Sequence, residues 1–327
     1  MTEFDRRGAI MAGLGGLMAL AAGPLPPGWI PPKPDRELKV PIVGGSLYVR
    51  INGKLDGKKP PLLMIHGGPG GSHASLLTGL ALADERAVIL YDQLDCGKSD
   101  APNDPVNWTV ERFVSEVSAV RDALEIETLH LLGHSWGAAL ALEYAARTRS
   151  LSSLVLQGPL ISTARWLDDA ALLRATLPAD VQATLTKCES ATPPGADACK
   201  VATDAFYAQF WRREPAPAWQ VAYDAAMPKV ENDRLYNAMW GPSEFRCTGT
   251  LKNYDATPLL SKVRAQTLFM VGEYDEATPA AALEFSKQMA PGQSELSIIT
   301  GAAHRIQTDR PTAYVDALRK WLAKHDG

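Results

Sequence analysis

Leu129-His130-Leu131-Leu132-Gly133-His134-Ser135-Trp136-Gly137-Ala138-Ala139-Leu140-Ala141-Leu142 is the stretch on which the fold is decided. Its first four residues form a largely apolar run, short and bounded by glycine, which is the pattern of a strand buried on both faces. From Ala138 to Arg147 the spacing becomes helical and alanine-rich. Between the two lies Gly133-His134-Ser135-Trp136-Gly137, so Ser135 falls on a strand-to-helix turn. Gly133 and Gly137 permit a sharp backbone, and Ala138, Ala139 and Ala141 let the helix lie close to the sheet. A G-x-S-x-G pattern by itself is weak, because short runs of small residues arise by chance; the strand before it and the helix after it supply the context. The turn presents the Ser135 hydroxyl at the carboxyl end of a sheet, beside a helix N-terminus that favours developing negative charge.

Outward from this turn, short β-rich runs alternate with helical patterns, the signature of a largely parallel sheet covered by helices. Residues 61–65, 87–91, 153–156, 267–271 and 296–299 read as further buried strands. Residues 42–51, with Gly44-Gly45 and Asn52-Gly53, read as an antiparallel hairpin after a Pro-rich leader that ends near Pro41. Helices are expected over 110–124, 138–147, 280–289 and 312–323. The alternation stops between 158 and 263, where helical and turn signals, several prolines and no convincing strand occur. These patterns predict an α/β class protein of the α/β-hydrolase fold: a core of 40–157 and 264–327 with a helical cap, 158–263, inserted. The cap holds Trp166, Trp211, Trp219 and Trp240 together with Tyr207, Tyr223, Tyr236 and Phe245. Most of these suit a small core of the cap's own, and some suit the apolar walls of a pocket beneath it.

A chain of 327 residues, 46% hydrophobic and 21% charged, can bury a substantial core. A net charge of −4 without a Lys/Arg cluster leaves nothing to neutralise a phosphate backbone, which argues against nucleic-acid binding. Residues 1–30 read as a signal peptide of the twin-arginine type: Arg6-Arg7, an uncharged Gly/Ala/Leu/Met-rich stretch over 8–23, and Ala19-Leu20-Ala21 as a cleavage site. Asp5 and Ala9 depart from the usual signal. The expectation is export, to the periplasm, with a cytoplasmic protein if the signal is not used. The apolar stretch is shorter than the roughly twenty residues a membrane span needs, so no lasting anchor is expected. Cys188 and Cys199 flank Thr192-Pro193-Pro194-Gly195; an exported protein would be free to join them, and a reducing compartment would leave them as thiols. Cys96 and Cys247 read as thiols, and the four spacings match no zinc pattern, so neither a metal nor another cofactor is expected.

A serine hydroxyl is a poor nucleophile near neutral pH and needs a positioned base, held in turn by a carboxylate. In a strand-turn-helix setting of this kind the order along the chain is Ser, then Asp or Glu, then His on a loop after the last core strand. Among six histidines only His304, in Gly301-Ala302-Ala303-His304, meets that condition. His66 is expected to make a structural hydrogen bond, and His134 to pack beside the turn. Val271-Gly272-Glu273-Tyr274-Asp275-Glu276 supplies the carboxylate. Asp275 is preferred over Glu273 and Glu276 because the loop must travel some way from its strand before reaching the histidine. A tetrahedral intermediate also needs donors for its oxyanion. His66-Gly67-Gly68-Pro69-Gly70 follows a strand directly, which makes Gly68 one backbone donor and Trp136, after the nucleophile, the other. The glycine spacing fits neither phosphate-binding pattern.

These residues carry a specific resemblance. His66-Gly67-Gly68-Pro69-Gly70, Tyr91-Asp92-Gln93 with Cys96-Gly97-Lys98-Ser99, Gly133 to Gly137, Gly241-Pro242-Ser243-Glu244-Phe245, Val271 to Glu276 and Ala303-His304 together resemble the proline iminopeptidase (prolyl aminopeptidase) family. The similarity runs from about Val40 to the C-terminus and is nearest to the branch with the tricorn-interacting aminopeptidase and the L-amino-acid and proline amidases. The resemblance implies a serine aminopeptidase that releases an N-terminal proline or small apolar residue from a small peptide or amino-acid amide, with Glu244 and Glu276 holding the substrate's free amine. A buried ammonium must be paired, so acidic groups at a fixed distance from the nucleophile would set which carbonyl reaches it. Asp95 and His134 stand where relatives usually have glycine, and Asp95 is expected to add an acidic contact or to alter the pocket. Rival readings are an amidase or small-molecule esterase using the same three residues, or a non-catalytic binding protein of the same fold.

Overall fold

The computed structural model describes residues 25–190, 195–228 and 231–327; Arg6-Arg7 and Ala19-Leu20-Ala21 lie outside them. One eight-stranded sheet runs in the spatial order β1-β2-β4-β3-β5-β6-β7-β8. Its strands are β1 Arg36–Ile42, β2 Gly45–Asn52, β3 Leu62–Ile65, β4 Val88–Tyr91, β5 Leu129–His134, β6 Leu151–Gln157, β7 Thr267–Gly272 and β8 Ser294–Ile299. β2 pairs antiparallel with both β1 and β4, and every other pairing is parallel.

The central strands are apolar at successive positions because both faces are covered. Leu63, Ile65, Leu131, Phe269 and Val271 point into one core, while Leu62, Met64, Leu132, Leu268 and Met270 point into the other. α1 Val110–Ala123 and α2 Trp136–Ala145 cover the first face. α1 opens on Thr109, whose hydroxyl accepts a hydrogen bond from the Arg112 amide. Between β6 and β7 stand α3 Thr163–Arg174, α4 Ala179–Cys188, α5 Ala196–Phe210, α6 Ala218–Ala225 and α7 Asp233–Met239. α8 Pro279–Ser286 follows β7 on the first face; α9 Ile306–Asp309 and α10 Pro311–Lys324 complete the second, with the 3₁₀ segment His73–Asp84.

The inserted helices have a small core of their own around Leu177, Leu185, Phe206 and Phe210, with Tyr207 and Phe245 against it. A disulfide joins Cys188 at the end of α4 to Cys199 in α5. Trp166 and Trp240 instead belong to the main core, and Trp219 packs edge-on against Trp29. Among the described residues no helix is long and apolar enough to cross a membrane.

Three elements differ from the sequence expectation. β8, expected to be buried, is an edge of the sheet and only partly covered, with Ile298 exposed. β1 occupies residues assigned to the leader: it is a largely exposed, charged edge strand, and an edge tolerates Pro41 because one side of its ladder is unused. His73–Asp84 is a long 3₁₀ segment whose residues are mostly buried, so no amphipathic periodicity marks it.

The β5–α2 junction tolerates no added carbon. A Cβ at Gly133 would stand 2.1 Å from the Gly137 carbonyl oxygen, a contact between two backbones that no rotamer relieves. Gly133→Ala is therefore expected to destabilise the protein by about 3 kcal/mol or more, read as a lower midpoint in thermal or urea unfolding. An unchanged midpoint would mean the junction is looser than described.

Candidate active site

Ser135 is the hinge of that junction. Its backbone sits at φ 57° and ψ −122°, which side chains other than glycine seldom adopt. The conformation is held from both sides: Ser135 N–H donates to the Gln157 carbonyl at 2.9 Å, and its own carbonyl accepts from Ala138 at 2.9 Å and Leu160 at 3.3 Å. The side chain stands at the N-terminus of α2 and opens on a cavity of about 600 Å³ at the carboxyl ends of the strands.

His304 and Asp275 meet on loops after β8 and β7. His304 Nδ1 lies 2.7 Å from Asp275 Oδ1, and both side chains are buried. Asp275 also accepts from the Ala277 amide at 2.8 Å and from Gly272 at 3.2 Å, so it is a fixed acceptor, and His304 carries its proton on Nδ1 toward it. In the neutral imidazole this tautomer leaves Nε2 as the acceptor. Ser135 and His304 line the same cavity. His134 packs against the His304 ring at 4.7 Å and donates from Nε2 to the His304 carbonyl at 3.2 Å. Burial, then the nearby His304, hold its basicity well below the ordinary range, so it stays neutral.

The loop after β3 brings its backbone against the serine. A Cβ at Gly67 would stand 3.0 Å from Ser135 Cβ, and Gly68, at φ 123°, has its own loop's amides where a side chain would go. His66, depressed in basicity mainly by burial, accepts from the Gln93 amide at 3.1 Å and donates to the Gly67 carbonyl at 2.9 Å. Gln93 also links the two segments that carry Gly68 and Trp136. Its Nε2 donates to the His66 carbonyl at 3.0 Å, and its Oε1 accepts from Trp136 Nε1 at 3.0 Å. Sequence reading quoted Gln93 only as part of a motif; a buried amide whose two ends tie separate loops is visible only in three dimensions.

Two carboxylates converge behind His304. Glu276 is 1% exposed, its Oε1 lies 4.0 Å from His304 Nε2, and neither of its oxygens has a hydrogen-bond partner. Glu244 lines the cavity; its carboxylate accepts from Tyr236 Oη at 2.8 Å, and its carbonyl accepts from Trp166 Nε1 at 2.9 Å. Burial raises the basicity of both, and in Glu276 the neighbouring Glu244 and then Asp275 add to it. A buried carboxylate with no donor is costly, and Glu276 is in that position while Glu244 has Tyr236.

Tyr207, Trp211 and Tyr236 complete one side of the cavity, and Asn232, which sequence reading passed over, joins it to the 66–70 loop by donating its amide to the Gly70 carbonyl at 2.8 Å. Asp95 is not an added acidic contact. Its carboxylate, off the cavity, accepts from Trp108 Nε1 at 2.8 Å and the Asn103 amide at 2.6 Å, while its carbonyl accepts from Asn232 Nδ2 at 2.9 Å. It acts on the site at one remove, by holding Asn232. Cys96 packs in the main core rather than on the cavity wall.

Residues 60–311 match the family model described as the alpha/beta hydrolase fold. The chain is 37% identical over 287 residues to the proline iminopeptidase of Heyndrickxia coagulans, covering 86% of this chain and 97% of the relative. It is 33% identical to that of Lactobacillus helveticus, covering 89% and 98%. The crystal structure of proline iminopeptidase from Mycobacterium smegmatis superposes with a TM-score of 0.81 at 33% identity, over 89% of this chain and 99% of that one. VinJ superposes at 0.82 with 30% identity, over 90% and 100%. With its fold, its site and relatives matched across nearly their whole length, the chain belongs to the proline iminopeptidase family of α/β hydrolases.

Proposed function

We propose that the protein is a prolyl aminopeptidase that removes an N-terminal proline, or another small apolar residue, through an acyl-enzyme on Ser135. The observation that carries this is the pair of buried carboxylates beside the reactive histidine, of which Glu276 has no hydrogen-bond partner among the described residues. A protonated N-terminal amine held by Glu244 and Glu276 belongs to the same residue as the carbonyl that reaches Ser135, one Cα away from it. His304 Nε2 takes the Ser135 proton and returns it to the leaving amine, while Asp275 holds the ring and stabilises its cationic form. The backbone amides of Gly68 and Trp136 receive the oxyanion, and Gln93 keeps the two segments in register. Residues 158–263 act as the cap that closes the site. Export is part of the same proposal, supported by Arg6-Arg7 with the apolar stretch after it, and by a disulfide that suits an oxidising compartment.

Proline arylamide is expected to be hydrolysed, and its N-acetylated form at least ~100-fold more slowly in kcat/KM, because a blocked amine leaves buried carboxylates unpaired. Comparable rates on the two would refute amine recognition, and Ser135→Ala serves as the inactive control.

The empty site carries a second signature. A carboxyl group whose basicity is raised on folding costs stability above its unfolded range, and the cost grows as pH rises through the raised value. Glu276→Gln is therefore expected to have a higher Tm than the parent at neutral pH and an equal one near pH ~4, while losing most of its aminopeptidase activity. A lower Tm at neutral pH would show that the Glu276 charge stabilises the fold rather than waiting for a ligand.

A further inference from the structure

The wall of the cavity beyond His304 carries two arginines that the proposed reaction does not use. Arg212 follows the end of α5, Arg305 follows His304, and both line the cavity. Among the described residues neither has a carboxylate within ion-pair distance, whereas the guanidiniums of Arg86, Arg165, Arg174, Arg310 and Arg319 each hold one. Arg305 Nε is buried with no hydrogen-bond partner. The two flank one ring: their guanidinium carbons lie 5.4 Å and 5.2 Å from the Trp211 centroid. They are also tied to the histidine's loop, since His304 N–H donates to the Phe210 carbonyl at 3.1 Å and Arg305 N–H to that of Trp211 at 2.8 Å. Burial and then the nearby Arg212 depress the basicity of Arg305, against the pull of Glu231, Asp224 and Asp309.

We propose that Arg212 and Arg305 form a carboxylate subsite on the leaving-group side, so that the preferred substrate is a dipeptide with a free C-terminal carboxylate. This deepens the aminopeptidase reading and rests on it. The histidine that protonates the leaving amine must adjoin the leaving residue, and Arg305 is its chain neighbour. Beyond the scissile bond a dipeptide has one residue, about 3.3–3.6 Å of extended chain, before its carboxylate. The cavity would then be read from both ends: acids for the amine, arginines for the carboxylate, Ser135 between them. Guanidinium groups suit this task because they can bind a carboxylate through two parallel hydrogen bonds. Besides Glu244, the acidic residues Asp224, Glu231 and Asp233 line the cavity, Asp233 exposed. Asp224 accepts from Gln220 Nε2 at 2.8 Å, and Glu231 is exposed; neither reaches ion-pair distance of the arginines.

The test measures kcat/KM on Pro-Ala, Pro-Ala-amide and proline arylamide for the parent, Arg212→Met, Arg305→Met and Arg305→Lys. Each dipeptide value is divided by the same variant's arylamide value, so that loss of folded enzyme or of the basic chemistry cancels. The parent is expected to favour the acid over the amide by at least ~10-fold, with the ratio falling toward one in either methionine variant and intermediate in Arg305→Lys. Equal use of acid and amide by the parent, or a ratio that survives in both methionine variants, overturns the subsite. A preference for the amide overturns it too and assigns the wall to Asp224 and Glu231. Failure of the aminopeptidase reading shows itself separately, as no arylamide turnover or as indifference to N-acetylation.

Discussion

The site depends on one steric constraint, the contact between the β5–α2 junction and the end of β3. A Cβ at Gly137 would lie 2.3 Å from the Ile65 carbonyl oxygen, just as one at Gly133 would meet Gly137. Because both positions are bare backbone, α2 begins directly under the loop that follows β3. The Ser135 side chain, the helix N-terminus and the 66–70 loop are thereby forced into one place. The strained backbone of Ser135 follows from the same crowding and is secured by hydrogen bonds from β6 and its following loop.

Around that fixed point the polar groups fall into two kinds. His66, Gln93, Asp275 and Asn232 are buried and paired with backbone groups, and such saturated networks give rigidity. Glu276, behind His304, and Arg305, on the cavity wall, keep polar atoms without hydrogen-bond partners among the described residues. Folding alone gains nothing from leaving a polar group dry and unpaired. The satisfied groups therefore hold the reactive geometry, and Glu276 and Arg305 are the two for which a bound molecule is proposed as the missing partner.

The sheet, its direction and the strand-to-helix turn were legible in the sequence because double-sided burial writes itself as short apolar runs, such as Leu62 to Ile65 and Thr267 to Gly272. Asp275 and His304 were legible by chain order and by their position after strand ends, and the structure holds their side chains 2.7 Å apart. What escaped was decided by contacts between distant segments. β1 is charged and exposed because it is an edge, and so reads as a leader; Gln93 and Asn232 matter through bonds to loops far along the chain. Asp95 reads as an active-site acid until Trp108 and Asn103 are seen to occupy it.

In the proposed reaction, amine recognition fixes the scissile carbonyl over Ser135. The most direct measurement is a crystal structure of the complex with the boronic-acid analogue of proline, which forms a tetrahedral adduct on a reactive serine. The expected adduct has boron bonded to Ser135 Oγ, with the pyrrolidine nitrogen within about 3 Å of carboxylate oxygens from both Glu244 and Glu276. An adduct on Ser135 whose ring nitrogen faces solvent, with neither carboxylate in contact with it, is the opposite result.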